Sequence, residues 1–204
     1  NKPVVMVSVQ PQAYFVQKIA GDLVEVQAMV ATGDDPHTYE PTTEQMRSLT
    51  NAQLYFSIGV EFEAAWLPRF TAANPNLKIV DSAEGVVRLP AAPSENGEEA
   101  GEPDPHIWVS PSRVKQISAN MAAALAELDP DNAPIYEQNL ETWLQEIDQV
   151  DADIRSTLSG ISRNVFLSVH PSWGYFADEY GLQMLAVEQE GQEPGPDDLA
   201  KVIE

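Results

Sequence analysis

The sequence predicts an α/β protein with two (β/α) lobes, parallel-type sheets and a long rigid helix that joins the lobes. Along the first third of the chain, short apolar runs alternate with segments of helical periodicity, which is the spacing of strand–helix units in a parallel sheet. Further on, apolar residues keep helical spacing over residues 136–158, and the pattern ends at Gly160. At about 1.5 Å per residue such a helix is on the order of 40 Å long, which exceeds the diameter of a small domain.

The predicted elements follow in chain order. Strands are expected over residues 4–9, 23–30, 54–58 and 77–80, and helices over residues 14–21, 43–49, 63–73 and 111–128. Thr42 and Gln45 form a capping-box pattern at the start of the second of these helices. We expect a first, metal-binding lobe over residues 1–129, the linking helix over residues 130–160, and a partial second lobe over residues 161–204.

The second lobe is predicted to be incomplete. After the long helix the sequence offers strands at 165–169 and 184–187, a helix at 173–180 that Gly181 ends, and a further helix start at Pro196. Two strands do not complete the sheet of such a lobe. We therefore expect a truncated chain with uncovered apolar surface, which self-association would mask.

Composition narrows the function classes. The 204 residues include 11 basic and 32 acidic side chains, which give a formal net charge of −21. This charge repels phosphate and anionic lipid, so the sequence predicts no nucleic-acid partner and favours cations. Hydrophobic residues make up 43% of the chain, enough for a core, and the absence of Cys excludes disulfides and Cys-ligated metals.

The three histidines are the candidate metal ligands. His37, His106 and His170 each lie beside a proline, and the first two follow the same Asp-Pro pair. Proline restricts the backbone next to the imidazole, and neutral imidazole suits Zn²⁺. The alternative is that each histidine is an ordinary surface or capping residue, but three in such similar loops favour a metal site.

The motifs around these histidines resemble those of a known family. They are Gly-Asp-Asp-Pro-His-Thr-Tyr-Glu-Pro-Thr from residue 33, Asp-Pro-His-Ile-Trp-Val-Ser-Pro from residue 104, Ser-Val-His from residue 168, and Gly-Tyr-Phe-Ala from residue 174. In this order they resemble the zinc- and manganese-binding solute receptors of ABC importers, the cluster A-I substrate-binding proteins.

The resemblance implies a fold and a function. Family members have two lobes joined by one long helix, with the metal in the cleft between the lobes. It implies that His37 and His106 are first-lobe ligands and His170 the third, that the cargo is Zn²⁺, and that the receptor delivers it to the membrane permease of an ABC importer. The expected location is periplasmic or otherwise extracytoplasmic, and lipid anchoring is left open.

Several alternatives stay open. A manganese receptor of the same family is one, although its members often carry Glu at the third position. The fourth ligand of many members is an acidic residue late in the second lobe, beyond residue 204 of this chain. A mononuclear zinc hydrolase would need a general base, and the sequence has no His-Glu-x-x-His motif, so we expect no enzyme. An interaction module without a metal is the third class.

Overall fold

The structure, a computed structural model, describes residues 2–30, 39–90 and 103–187. His37, the acidic segment before Asp104 and the predicted helix start at Pro196 lie outside these residues. The chain divides into two compact units, Asn1–Val86 with Lys115–Glu146, and Val87–Val114 with Ile147–Glu204. The predicted α/β class with parallel strands is confirmed in both units.

The first unit is built on a parallel sheet in the order β2-β1-β3-β4. Its central strands are buried because they consist almost entirely of large apolar residues, as parallel strands covered on both faces require. The strands are β1 (Val4–Val7), β2 (Glu25–Ala28), β3 (Leu54–Ser57) and β4 (Lys78–Asp81). All four agree with the predicted segments, within the few residues by which strand ends vary.

The helices also begin and end near the predicted residues. They are α1 (Gln10–Ala20), α2 (Thr43–Leu49), α3 (Glu61–Ala73), α4 (Pro111–Leu128), α5 (Ala133–Leu158) and α6 (Gly174–Tyr180). The capping box at the start of α2 is present, since Gln45 N–H donates to Thr42 Oγ1 and Thr42 N–H donates to Gln45 Oε1. Gly181 ends α6 in the left-handed conformation, with a φ of 65°.

Side chains tie the carboxyl ends of the strands together in the first unit. The buried Gln12 amide oxygen accepts from the N–H groups of Ser8 and Val9, and its nitrogen donates to the carbonyls of Phe56 and Ser57. A single side chain thus links the ends of β1 and β3. Such an edge is where open α/β sheets usually bind ligands.

The second unit contains the parallel pair β5 (Val165–Ser168) and β6 (Gln183–Ala186). Leu167 pairs with Leu185 in register, so both side chains lie on one face, and they are 58% and 40% exposed. Val165, two residues before Leu167, is 45% exposed. These three apolar side chains of the strand pair are therefore exposed to solvent.

The helix α5 has 26 residues, about 39 Å at 1.5 Å per residue, which confirms the predicted long helix. Residues 133–146 belong to the first unit and 147–158 to the second. No helix within the described ranges is long and apolar enough to cross a membrane.

The compact units divide the chain at other points than the predicted lobes. Residues 87–90 and 103–114, expected in the first lobe, belong to the second unit. Hydrogen bonds explain this, because Arg113 binds Asp178 and Ser112 N–H donates to Glu179, both on α6. The lobe boundaries 1–129, 130–160 and 161–204 stay a prediction, but His106 belongs to the second unit by its packing.

Candidate metal centre

Two of the three predicted ligands lie next to each other in the second unit. His170 follows the carboxyl end of β5, and His106 precedes a short 3-10 turn, Ile107–Val109. Their Nε2 atoms are 3.3 Å apart, and their ring centroids are 5.1 Å apart with the planes at 77°. The two residues are 64 positions apart in sequence, so only the fold brings them together.

The separation of the two nitrogens fits a shared metal ion. Zinc binds imidazole nitrogen at about 2.0–2.1 Å in a tetrahedral arrangement, which places two such nitrogens about 3.3–3.4 Å apart. The observed Nε2 to Nε2 distance of 3.3 Å matches that separation. His106 is buried and His170 is half-buried, so the pair is partly shielded from solvent.

Asp104 sets the orientation of the His106 ring. Its Oδ1 accepts from His106 Nδ1 at 2.8 Å and from the His106 backbone N–H at 2.9 Å. A carboxylate only accepts, so the imidazole proton stays on Nδ1 and the Nε2 lone pair is available to a metal. Carboxylates behind metal-binding histidines commonly have this role. The role of Asp104 is not among the sequence predictions, although the repeated Asp-Pro-His tripeptide is a signal for it.

Tyr175 holds the backbone of Asp104. Its hydroxyl donates to the Asp104 carbonyl at 2.6 Å and accepts from Leu89 N–H at 3.0 Å. The ring is fully buried, and Arg113 lies over it at 4.6 Å from the centroid. Burial raises the pKa of the Tyr175 hydroxyl, against the lowering effect of the Leu89 N–H, so the phenol stays a donor.

Gly174 makes the close approach to Asp104 possible. A Cβ on this glycine would lie 3.0 Å from Asp104 Oδ2, tighter than an ordinary contact. The backbone of His170 is also fixed, because its carbonyl accepts from Ser168 Oγ at 2.7 Å and from Ser172 N–H at 2.8 Å. Hydrogen bonds therefore hold the ring of His106 and the backbone of His170.

The third predicted ligand, His37, lies outside the described residues, so the three-histidine site stays a prediction. Within residues 2–30, 39–90 and 103–187, no group of three or more His, Cys, Asp or Glu side chains could hold a metal. The described part of the site is thus the His106 and His170 pair with Asp104 behind it.

Known proteins resemble the chain along nearly its whole length. Residues 5–204 match the family model described as ZnuA, zinc-uptake complex component A, periplasmic. A crystal structure of ZnuA superposes with a TM-score of 0.91 at 42% identity, covering 100% of this chain and 77% of that one.

Two curated relatives match as well. The high-affinity zinc uptake system protein ZnuA of Bacillus subtilis strain 168 is 27% identical over 209 residues, which cover 97% of this chain and 65% of the relative. The iron ABC transporter substrate-binding lipoprotein MtsA of Streptococcus pyogenes serotype M1 is 29% identical over 201 residues, 91% of this chain and 62% of the relative. The chain thus spans less than two thirds of the length of either.

Proposed function

Because the chain belongs to the ZnuA family of periplasmic zinc-uptake components, we propose that it is an extracytoplasmic receptor. It binds Zn²⁺ and delivers the ion to the membrane permease of an ABC importer. The observation that carries this proposal is the His106 and His170 pair, whose Nε2 atoms lie at the separation of two ligands on one tetrahedral zinc ion.

In this proposal His37, His106 and His170 are the metal ligands, and the fourth position takes water or a carboxylate. Asp104 keeps the His106 ring in the binding orientation and tautomer before the ion arrives, so binding requires little reorganisation. Only unprotonated imidazole binds a metal, so acid weakens binding and binding releases protons. The protein has no catalytic role, and it makes no contact with nucleic acid.

The alternative is a receptor for manganese or another divalent metal. The S. pyogenes relative MtsA carries iron in its name. The described ligand pair favours zinc, because imidazole nitrogen suits zinc better than the oxygen-preferring manganese ion, and divalent zinc binds such ligands more strongly than manganese. A titration with both metals separates the two functions.

The test is calorimetry of the intact protein with Zn²⁺ and Mn²⁺. We expect one Zn²⁺ per chain, weaker Mn²⁺ binding, and loss of affinity in His37→Ala, His106→Ala and His170→Ala. Asp153→Ala, an exposed acidic position on α5 in the same unit as the pair, serves as the control. Undiminished zinc affinity in His106→Ala would overturn the proposed site, and turnover of ester or phosphoester substrates by the zinc-loaded protein would favour the hydrolase.

The proposal includes self-association through the second unit. The face of β5 and β6 that carries Val165, Leu167 and Leu185 is apolar and exposed, and a second copy could cover it. This part of the proposal is independent of the metal site, and its test is given in the Discussion.

A further inference from the structure

We infer that Glu179 is a positioning residue for His106. From α6, Glu179 holds the far end of the His106 turn, which is defined as residues 104–110. This inference rests on the proposed function, in which His106 and His170 bind the same zinc ion. All the residues involved belong to the second unit and to the part of the chain that the structure describes.

The His106 turn is a continuous hydrogen-bonded element. Ile107 N–H donates to the Pro105 carbonyl at 2.8 Å, and Ser110 N–H donates to the Ile107 carbonyl at 3.3 Å. Ser110 also leads into α4, since its carbonyl accepts from Val114 N–H at 2.9 Å. A change in the orientation of Ser110 is therefore passed on to the backbone of His106.

One helix, α6, binds both ends of this turn. At its start, the Tyr175 hydroxyl donates to the Asp104 carbonyl at 2.6 Å. At its end, the Glu179 carboxylate accepts from the Ser110 hydroxyl, and from Ser112 N–H at 3.1 Å. Tyr175 and Glu179 are four residues apart on α6, so they lie on the same side of the helix, about 6 Å apart along its axis.

The same helix follows directly from the backbone of His170. Ser172 N–H donates to the His170 carbonyl at 2.8 Å, and α6 begins two residues later at Gly174. The contacts of α6 therefore fix the His106 turn relative to His170. This relative position decides whether the two Nε2 atoms stay at the 3.3 Å separation that suits one zinc ion. Freedom that the turn gains in the apo protein must be given up again when the metal binds.

Capping of α4 alone does not account for the role of Glu179. Ser110 occupies the N-cap position, where a serine hydroxyl commonly accepts from a backbone N–H of the first turn. Here the Ser110 hydroxyl instead donates to Glu179, and the N–H of Ser112 also binds Glu179, which lies 67 positions further along the chain. A cap that served only α4 could come from Ser110 itself.

The neighbouring ion pair does not replace this contact. Arg113 Nη2 donates to Asp178 Oδ2 at 2.8 Å, but the Asp178 side chain is 49% exposed. Exposed ion pairs contribute little to stability. Ser110, in contrast, is fully buried, so without Glu179 its hydroxyl loses the carboxylate that accepts from it. The end of the His106 turn therefore depends more on Glu179 than on Asp178.

The experiment measures the zinc affinity of the full chain by competition with a chelator of known affinity. Glu179→Ala removes the contact, and Glu179→Gln removes the charge but keeps an acceptor oxygen. The control is Asp151→Ala, because Asp151 is also a half-buried acid that binds α6, through the Tyr180 hydroxyl at 2.8 Å, but it has no hydrogen bond to the His106 turn. Each variant is also made in the His106→Ala background, and thermal unfolding of every apo protein is recorded.

We expect Glu179→Ala to weaken zinc binding by up to about tenfold, because it frees the turn that carries a ligand. Glu179→Gln should stay within about twofold of wild type, since the hydrogen bonds and not the charge hold the turn. Asp151→Ala should lower the unfolding temperature and leave zinc affinity within about twofold of wild type. In the His106→Ala background, Glu179→Ala should change the remaining affinity by less than about twofold, because the ligand that it positions is gone.

A Glu179→Ala protein with zinc affinity within about twofold of wild type would overturn the inference. So would a loss that is equal in Glu179→Gln, in Asp151→Ala or in the His106→Ala background. If Glu179→Ala does not fold, Ser110→Ala removes one of the two hydrogen bonds and carries the same comparison. A wild-type protein that binds no zinc would refute the proposed function and the inference with it, whereas zinc binding that is insensitive to Glu179 would overturn the inference alone.

Discussion

The carboxylate of Asp104 accepts two hydrogen bonds from His106, one from the ring and one from the backbone. The carbonyl of the same residue accepts from Tyr175, and Gly174 leaves room for its second carboxylate oxygen. All these contacts of Asp104 are with protein groups, and none is with a metal. It decides which nitrogen of His106 carries the proton and where the other nitrogen points.

Asp104→Ala should therefore lower zinc affinity at least about tenfold while leaving one zinc per chain. The ring of His106 would lose the carboxylate that accepts from its Nδ1, so it could adopt either tautomer in several orientations. Calorimetry measures the affinity and the stoichiometry together. An affinity within twofold of wild type would show that the backbone alone holds the ring.

Gly174→Ala tests the close approach to Asp104. The added Cβ would meet Asp104 Oδ2 at 3.0 Å, so the carboxylate must shift and His106 with it. We expect a loss of zinc affinity of up to about tenfold, smaller than the loss for Asp104→Ala because the carboxylate is shifted and not removed. Gly160→Ala is the matched control, because its Cβ would meet nothing within 4 Å. Equal effects of the two substitutions would contradict this explanation.

At the scale of the elements, the buried acid Glu63 joins α3 to the residues that follow β1 and β3. Glu63, in the first turn of α3, accepts from Ser8 Oγ and from the N–H groups of Ile58 and Gly59. Burial raises the pKa of Glu63 above 4.5, and the three donors act in the opposite direction. The helix start is thus fixed to the sheet edge through a carboxyl group that holds its proton more tightly than an exposed one.

The raised pKa of Glu63 predicts the direction in which its contribution to stability changes with pH. A carboxyl group whose pKa is higher in the folded protein contributes stability below its ordinary pKa, and that contribution is lost as the pH rises through the folded value. The free energy of unfolding of wild type minus that of Glu63→Gln should therefore decrease as the pH is raised above 4.5. Urea unfolding across this range measures the difference, in which the other carboxylates cancel.

Glu44→Gln, at an exposed position in the first turn of α2, is the control for this series. Its difference from wild type gives the effect of the same substitution at an exposed position. A difference for Glu63→Gln that stays constant, or that increases with pH, would mean that the hydrogen bonds from Ser8, Ile58 and Gly59 outweigh burial.

For the whole chain, two properties have opposite effects on association between copies. The net charge of −21 keeps copies apart, whereas the apolar face of β5 and β6 favours association. At physiological ionic strength, salt screens the repulsion between charges more than about 8 Å apart and leaves apolar contacts intact. Association should therefore strengthen as salt is raised.

Sedimentation velocity at low and physiological salt tests this expectation. Wild-type protein should show a concentration-dependent dimer that increases with salt, and Leu167→Ser should weaken it. The control is Val87→Ser, since Val87 is an exposed apolar residue of the second unit outside the strand pair. A monomer at every concentration and salt, or equal effects of the two substitutions, would refute self-association through this face.

Periodicity along the chain was enough to place the elements. The continuous apolar runs of β1 and β3 and the long amphipathic pattern of α5 depend on neighbours in sequence, so the strands, the helices and their α/β class could be predicted. The proline-flanked histidines and the capping box at Thr42 and Gln45 are also local patterns. They indicate metal ligands and a helix start without any contact between distant residues.

Contacts between distant residues required the folded chain. The approach of His106 to His170 across 64 positions, and the bond from Tyr175 to Asp104 across 71, follow from how α6 packs beside the segment that contains Asp104. The same packing places residues 103–114 in the second unit and not with the strands that precede them. Such contacts depend on burial and on shape complementarity between elements, which a pattern of neighbouring residues does not encode.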